Sequence, residues 1–224
     1  EKLHGTLCEI GFSNNFPEDS KEFLFPVFPD DIYGYVTSKG LSKKGIFQLN
    51  KPENSDNLYV KAYKKYFEEK AGPIVERFLR LNNLDGRPDI KWYLHIFGEV
   101  YGAGVQDLGY NAKEAEFRVF DVYVKIFDPE KEKQGYLNLL NLMNWCTFHQ
   151  LPHVPILYQG PYSYEEAEKH RDGLTTLGGS HTREGIVIKT SLEGEHPKLP
   201  GNRKQLKFIS PDYLLRKGNT TEYT

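Results

Sequence analysis

Cysteine is scarce in this 224-residue chain, and long apolar runs are missing from it. Cys8 and Cys146 are too few for a disulfide framework, and no Cys–His spacing typical of a zinc site is present. No apolar run approaches the roughly 18 residues of a membrane-spanning helix. Glycine-rich dinucleotide-binding and P-loop motifs are also missing. These absences argue against disulfide scaffolds, zinc domains and Rossmann-type enzymes. They favour a cytoplasmic, nuclear or viral protein that is not secreted and binds no membrane.

Charge is nearly balanced, because 29 basic residues face 31 acidic ones and leave a net charge of −2. A uniformly basic surface for nucleic acid is therefore not expected. The basic residues are instead concentrated between residues 198 and 217 and around Lys39. Such local patches can bind phosphate groups even on a nearly neutral protein, although many charge runs are simply solvated.

Length and composition predict one sizeable domain with an aromatic-rich core, since 38% of the residues are hydrophobic and 15 Tyr and 14 Phe are present. Apolar residues at helical spacing predict helices at 58–70, 73–82 and 135–150, the last mostly buried, and a capping box at Ser163 predicts another helix to about residue 172. Long antiparallel strands with few helices predict an α+β domain. The predicted strands span residues 6–12, 32–37, 91–99, 116–127, 154–158, 184–190 and 204–209.

Five short segments carry reactive side chains near predicted strands, and three of them also contain glycine. Lys2 lies close to Gly5, which permits a tight turn, and carboxylates at positions 99 and 184 lie beside glycines near the ends of predicted strands. Each segment alone is a weak signal, but the ordered set is a strong one. The segments are residues 1–6 (EKLHGT), 95–102 (HIFGEVYG), 117–123 (FRVFDVY), 184–189 (EGIVIK) and 205–208 (QLKF).

In this order the segments resemble the nucleotidyltransferase motifs of the covalent lysyl-nucleotidyltransferases, the group of ATP-dependent DNA ligases, RNA ligases and mRNA capping enzymes. The resemblance runs from Lys2 to Lys207. His4 stands where DNA ligases and capping enzymes carry Asp, which points to the RNA ligase branch. The resemblance implies an α+β nucleotidyltransferase domain, similar to the ATP-grasp-like adenylation domain of ligases, with antiparallel sheets flanked by helices. A DNA ligase, a capping enzyme and a non-catalytic nucleotide- or RNA-binding relative remain alternatives.

The chemistry implied by the resemblance starts with Lys2, which would take AMP from ATP and form a covalent lysyl-AMP with Mg or Mn present. A lysine attacks as a neutral amine although its ordinary pKa is about 10.4, so nearby positive charge and partial burial are needed. Lys189 and Lys207 are candidates for that charge and for neutralising the phosphate. AMP would then pass to an RNA 5′-phosphate, and a 3′-hydroxyl would displace it, an activity used in RNA repair.

The site residues implied by the resemblance fall into three groups. The catalytic group contains Lys2, His4, Glu184, Lys189 and Lys207, with His4 expected to position rather than act as a base. The metal group contains Glu184 and Asp121. The nucleotide-binding group adds a ribose contact at Glu99 and adenine stacking at Phe120, for which a core phenylalanine is the alternative. The full nucleotide-binding group is Glu1, Lys2, Leu3, Gly5, Lys39, Glu99, Phe120, Glu184, Lys189 and Lys207.

Several features depart from the family pattern. The last motif usually has two lysines as K-x-K, whereas here Gln205 takes the first place, so Lys204 or Arg203 could supply the missing phosphate contact. The strand pattern predicts Leu206 in the core and Lys207 with Gln205 on the opposite face. Lys39 replaces an arginine found in many relatives and keeps only its point charge. Strict alternation would also separate Glu184 from Lys189, so a twist or bulge is expected there.

The domain organisation is expected to be a single nucleotidyltransferase domain over residues 1–224. Its relatives pair this domain with an OB-fold or helical domain and have a strand before the nucleophile. We therefore expect an accessory domain and upstream residues in the full protein, with Glu1 not the native start. The expected partner is RNA with 5′-phosphate and 3′-hydroxyl ends, and the expected oligomeric state is a monomer.

Overall fold

The computed structural model describes residues 1–17, 24–28, 32–38, 51–194, 198 and 203–216. It is a mixed α+β fold, as expected. Its strands are β1 (Gly5–Ser13), β2 (Phe25–Phe28), β3 (Ile32–Thr37), β4 (Lys91–Gly102), β5 (Ala115–Phe127), β6 (Lys133–Tyr136), β7 (Gly185–Lys189) and β8 (Gln205–Ile209). Its helices are α1 (Leu58–Tyr66), α2 (Ala71–Leu81), α3 (Leu139–Phe148), α4 (Tyr164–Arg171) and α5 (Pro211–Leu214), with a 3-10 turn at Pro52–Asn54.

Two sheets are present among these elements. A six-stranded sheet has the order β2-β3-β1-β4-β5-β6, and β7 pairs antiparallel with β8 in a separate two-stranded sheet. The chain divides into two compact units. The lysine unit contains Glu1–Thr6, Tyr101–Glu116 and His153–Thr224, and the sheet unit contains Leu7–Val100 and Phe117–Pro152.

The sheet unit is stabilised by an aromatic core, as the composition predicts. Trp92, Leu94 and Ile96 alternate inward along β4, each 0–1% exposed. Helix α2 packs Phe78 against Trp92 with ring centroids 4.8 Å apart. Burial of such side chains contributes roughly 1.5–3 kcal/mol each, so this helix–sheet contact is a main source of stability.

Helix boundaries differ from the sequence prediction at two places near α1 and α2. Helix α1 begins at Leu58 because the Asn57 side chain accepts hydrogen bonds from Tyr59 N and Val60 N at 2.9 and 3.2 Å, but it ends at Tyr66 rather than residue 70. Helix α2 begins at Ala71, before Pro73. Proline is tolerated there because the first-turn N–H groups have no intrahelical partner.

The predicted helix at 135–150 is wrong in its first part. Residues Lys133–Tyr136 instead pair with β5, and the Asn138 side chain accepts from Asn141 N at 2.9 Å, so α3 begins only at Leu139. Only Leu142 and Cys146 of this helix are buried. The strand predicted at 154–158 does not form either, in a segment that carries Pro155.

No helix in the part of the chain that the structure describes is both long and apolar enough to cross a membrane.

His149, at the carboxyl end of α3, gives a pH-dependent stability. It is 7% exposed, and burial, followed by the charges of Arg77 and Lys70, lowers the pKa of His149 to about 4. The unfolded chain therefore binds a proton between pH 6.5 and about 4 that the folded chain does not, so this contribution is full above pH 6.5 and is lost below it. We expect the free energy of unfolding, measured in urea, to fall between pH 6.5 and about 4 in both proteins. The fall should be about 1–2 kcal/mol smaller for His149→Gln than for the wild type. Equal pH slopes would contradict this account.

Candidate active site

Lys2 and Glu184 meet in the lysine unit, 182 residues apart in sequence. The main-chain nitrogen of Lys2 donates to the carbonyl oxygen of Gly185 at 2.9 Å, and Lys2 and Gly185 form an isolated antiparallel bridge. Lys2 Nζ donates to Glu184 Oε1 in a short ion pair. The lysine side chain is 16% exposed and the glutamate 1%, so this pair couples a reachable amine to a buried carboxylate.

Gly185 explains how Glu184 reaches Lys2. Strand β7 begins at Gly185, which has φ +146°, and Glu184 precedes the strand with its carbonyl oxygen accepting from Ser210 N at 2.9 Å. A Cβ at position 185 would overlap the Phe208 carbonyl oxygen and lie 2.9 Å from Ile209 Cα. Only glycine fits here. Because the backbone at Gly185 is irregular, the side chain of Glu184 does not follow the strand alternation that sets the face of Lys189.

Lys189 and Lys207 share one face of the β7–β8 sheet. Val187 pairs with Lys207 and Lys189 pairs with Gln205, and directly paired or alternate residues of an antiparallel sheet point to the same side. The predicted grouping of Lys207 with Gln205 is therefore confirmed. Two lysines and an amide can act together on this face.

The prediction that Leu206 lies in the core is wrong, because Leu206 is 54% exposed. Helix α4 contacts the Leu206 face through Phe208, where the Tyr164 ring lies 5.6 Å and the Arg171 guanidinium 4.6 Å from the phenyl ring. Leu206 lies two residues farther along the strand. Arg203 bonds Glu193 at 2.5 and 3.2 Å, so its charge is already engaged by an acid.

The side chains on either side of Lys2 anchor its segment to the protein. The Glu1 carboxylate accepts from Thr175 Oγ1 at 2.5 Å and from Thr176 N and Oγ1 at 2.9 and 2.8 Å. Leu3, 3% exposed, belongs to a core cluster with Tyr101, Leu108, Tyr110 and Tyr213. The Gly5 carbonyl accepts from Gln106 Nε2. Lys2 thus projects from a backbone held on both sides.

His4 is 3% exposed and makes polar contacts with three side chains. Its main-chain N–H donates to Tyr110 Oη at 2.6 Å, Nε2 lies 2.6 Å from Asp107 Oδ1, and Nδ1 lies 2.6 Å from Tyr213 Oη. The sequence patterns did not identify Asp107, Tyr110 or Tyr213. They lie more than 100 residues from His4 and belong to no recognised motif, so the sequence carries no signal for them.

Glu99, Phe120 and Asp121 lie in the sheet unit. Glu99 and Phe120 are partly exposed on β4 and β5, which is compatible with contacts to a ligand, whereas Asp121 is 4% exposed. Lys39 lies outside the described residues. Glu184 and Asp121 belong to different units, and within the described ranges no three His, Cys, Asp or Glu side chains cluster as ligands of one metal ion.

A second polar cluster lies inside the sheet unit. Glu9, 7% exposed, accepts from Tyr35 Oη at 2.5 Å, and its Oε1 lies 2.8 Å from His95 Nδ1. His95 opens the segment that carries Glu99, and sequence reasoning assigned it no role. The buried carboxylate therefore fixes the orientation of the His95 ring on β4.

A comparison with protein families identifies the chain. The model of the family described as RNA ligase matches residues 1–207, which include four of the five motif segments and all but the last residue of the fifth. This chain belongs to the RNA ligase family. A comparison with individual curated proteins gives no significant match.

Solved structures similar to this RNA ligase chain include Naegleria gruberi RNA ligase with PPi, at 20% identity and a TM-score of 0.57 over 95% of this chain and 49% of that one. A mutant of the Naegleria ligase with ATP and Mn has 19% identity and a TM-score of 0.56, with the same coverage of 95% and 49%. Another mutant, with AMP and Mn, has 19% identity and a TM-score of 0.57, again covering 95% and 49%. They support the fold, and this chain spans about half their length.

Proposed function

We propose that this chain is the nucleotidyltransferase domain of an ATP-dependent RNA ligase and that Lys2 becomes adenylated. The observation that carries the proposal is the contact between Lys2 Nζ and the buried Glu184 carboxylate, within the region that matches the family. The Glu184 carboxylate holds the Lys2 amine in place and can act as the adjacent base, while Lys189 and Lys207 would supply the positive charge that favours a neutral amine.

In the proposed step, Lys2 Nζ attacks the α-phosphorus of ATP. The new N–P bond forms as the bond from the α-phosphorus to its bridging oxygen breaks, and pyrophosphate leaves. The ammonium would first give up a proton, and Glu184 Oε1 is the hydrogen-bonded atom that can accept it. The nitrogen would lose a second proton to water as the neutral phosphoramidate forms. Lys189 and Lys207 would stabilise the negative charge on the phosphate, since phosphoryl transfer depends mainly on positioning and electrostatics.

Glu184 would hold a divalent cation such as Mg or Mn, because carboxylate oxygens are the hard donors that such cations prefer. When bound, such a cation neutralises phosphate charge. Asp121 is proposed as a further acidic contact. The Naegleria structures with Mn and ATP or AMP support this choice of cofactors.

Glu99 and Phe120 are proposed as the ribose and adenine contacts. A partly exposed carboxylate can accept hydrogen bonds from ribose hydroxyls, and a partly exposed phenyl ring can stack on a base. The side chains of Glu1 and Leu3 contact other parts of the protein, and Gly5 has no side chain. Any contact of these three residues with ATP would therefore use the backbone.

The proposed substrate is RNA with a 5′-phosphate and a 3′-hydroxyl, and the residues 1–224 are proposed to act as one nucleotidyltransferase domain. The match to about half the length of the Naegleria ligase supports an accessory domain in the full protein. His4 supports the RNA ligase branch over the DNA ligases and capping enzymes.

The test is incubation with α-labelled ATP or GTP and Mg or Mn, followed by denaturing electrophoresis. ATP should give a labelled band and GTP a much weaker one. Preferential labelling by GTP would favour a capping enzyme. No label from either nucleotide, in a protein that unfolds cooperatively, would contradict the proposal.

The two basic residues of the last motif should differ in effect. Lys207 shares a face with Lys189, whereas Lys204 lies just before β8, outside the paired residues of the β7–β8 sheet. We expect Lys207→Ala to slow single-turnover adenylation at saturating ATP about 100-fold, because a phosphate contact is lost. Lys204→Ala should change it less than about threefold and act on RNA affinity. Equal large losses would make Lys204 a second phosphate ligand.

A further inference from the structure

His4 has a hydrogen-bonding partner on each ring nitrogen. Asp107 lies 2.6 Å from Nε2 and Tyr213 Oη lies 2.6 Å from Nδ1. Arg216 contacts both of these partners. Its Nη2 lies 3.1 Å from each Asp107 carboxylate oxygen, and its guanidinium lies 3.7 Å from the Tyr213 ring centroid. The histidine is therefore held in one orientation.

The charges of Asp107 and Arg216 determine which ring nitrogen of His4 carries the proton. Burial by itself would raise the pKa of Asp107, but hydrogen bonds from Arg216 and His4 hold it below its ordinary value. Burial lowers the pKa of His4, although Asp107 opposes this effect. The acid is thus an acceptor only, the neutral ring donates from Nε2, and Nδ1 accepts the proton of the Tyr213 hydroxyl.

This arrangement connects the lysine nucleophile to the end of β8. His4 lies two residues after Lys2, and Tyr213 lies in α5, which begins two residues after the last residue of β8. With both nitrogens engaged, His4 cannot take a proton from a substrate without breaking one of these bonds. A fixed His4 ring would hold the backbone from which Lys2 projects relative to the strand that carries Lys207.

We propose that Asp107 and Tyr213 are positioning residues for Lys2, acting through His4, and that Asp107 determines why histidine and not aspartate occupies position 4. The inference rests on the proposed adenylation of Lys2. An aspartate at position 4 could accept from Tyr213, but it would place a second carboxylate toward Asp107, whose side chain is 37% exposed, and like charges close together destabilise each other. Histidine instead donates to Asp107 and accepts from Tyr213.

The test is a charge cycle at positions 4 and 107. Asparagine and aspartate have the same shape, so the ratio of the single-turnover adenylation rates of His4→Asn and His4→Asp measures the effect of the charge. We expect a ratio of about 10 with Asp107 present and about 1 in the Asp107→Asn background, since coupling of contacting residues is typically 0.5–3 kcal/mol. Ratios that agree in the two backgrounds would overturn the proposal.

Two further measurements separate positioning from folding. Tyr213→Phe should lower the adenylation rate at saturating ATP about tenfold while leaving the KM for ATP within about twofold, because only the placement of Lys2 changes. A rise in KM with an unchanged rate would overturn the positioning role. The matched control is Glu166→Gln, which removes the partly exposed pair of Glu166 with His170 on α4 and should stay within about twofold of wild type.

Thermal unfolding tests the contact independently of catalysis. His4→Asp should lower the melting temperature more than His4→Asn, and Asp107→Asn should remove that difference. If the single variant His4→Asp fails to fold but the double variant with Asp107→Asn folds, the charge conflict is supported. If it melts equally low in both backgrounds, the conflict is refuted. Should the wild type fail to bind AMP covalently, the adenylation proposal fails, and these melting temperatures still decide the contact.

Discussion

Lys2→Ala is expected to give no covalent adduct with α-labelled ATP. In the proposed step Lys2 supplies the nitrogen that forms the bond, so its loss should remove the reaction rather than slow it. The measurement is the labelled band after denaturing electrophoresis at saturating ATP. A band of wild-type intensity would overturn the assignment of the nucleophile.

Lys2→Arg separates chemistry from structure in the same assay. Arginine can keep the ion pair with Glu184, and with it the local fold, but a guanidinium does not deprotonate and is a poor nucleophile. We expect a melting temperature close to that of wild type and no label. The matched control is Lys169→Ala, whose side chain is 67% exposed in an ion pair with Glu166 on α4 and which should label normally.

Gly185→Ala is expected to be the most damaging single-methyl change in the lysine unit. The added Cβ would overlap the Phe208 carbonyl oxygen, and the φ of +146° is strained for any other residue. Backbone cannot yield as a side-chain tip can, so we expect a loss of about 3 kcal/mol or more in unfolding free energy. Adenylation should fall about 100-fold or more, because Glu184 would no longer meet Lys2.

The control for this variant is Gly194→Ala. A Cβ at position 194 would meet no atom within 4 Å, and no left-handed φ restricts it. Its unfolding free energy should change by less than about 0.5 kcal/mol, as for most surface substitutions. If Gly185→Ala behaved like Gly194→Ala, the strained turn that places Glu184 would be wrong.

Local signals in the sequence predicted the parts of the fold that local chemistry determines. The strand at 32–37 has the predicted bounds, and Ser163 caps α4 with its side chain accepting from Glu166 N at 3.0 Å. The helix expected from residue 135 failed because pairing with β5 captured Lys133–Tyr136, a long-range contact that periodicity cannot reveal. Tertiary pairing outweighs weak helix propensity in such segments.

The candidate site shows the same division. The meeting of Lys2 with Glu184 follows from motif order, whereas its geometric cause, the irregular backbone at Gly185, could be predicted only as an unspecified twist or bulge. Alternation gave the faces of β8 correctly but not the burial of Leu206, because burial depends on how far α4 reaches along the sheet. Asp107 and Tyr213 form contacts that only the fold creates.

The most direct test of the central claim is to locate the adduct within the chain. Wild-type protein is incubated with ATP and Mg or Mn, digested under conditions that preserve the acid-sensitive N–P bond, and analysed by tandem mass spectrometry. We expect one AMP group on Lys2 and unmodified Lys189 and Lys207. AMP on either of those lysines with Lys2 unmodified would contradict it.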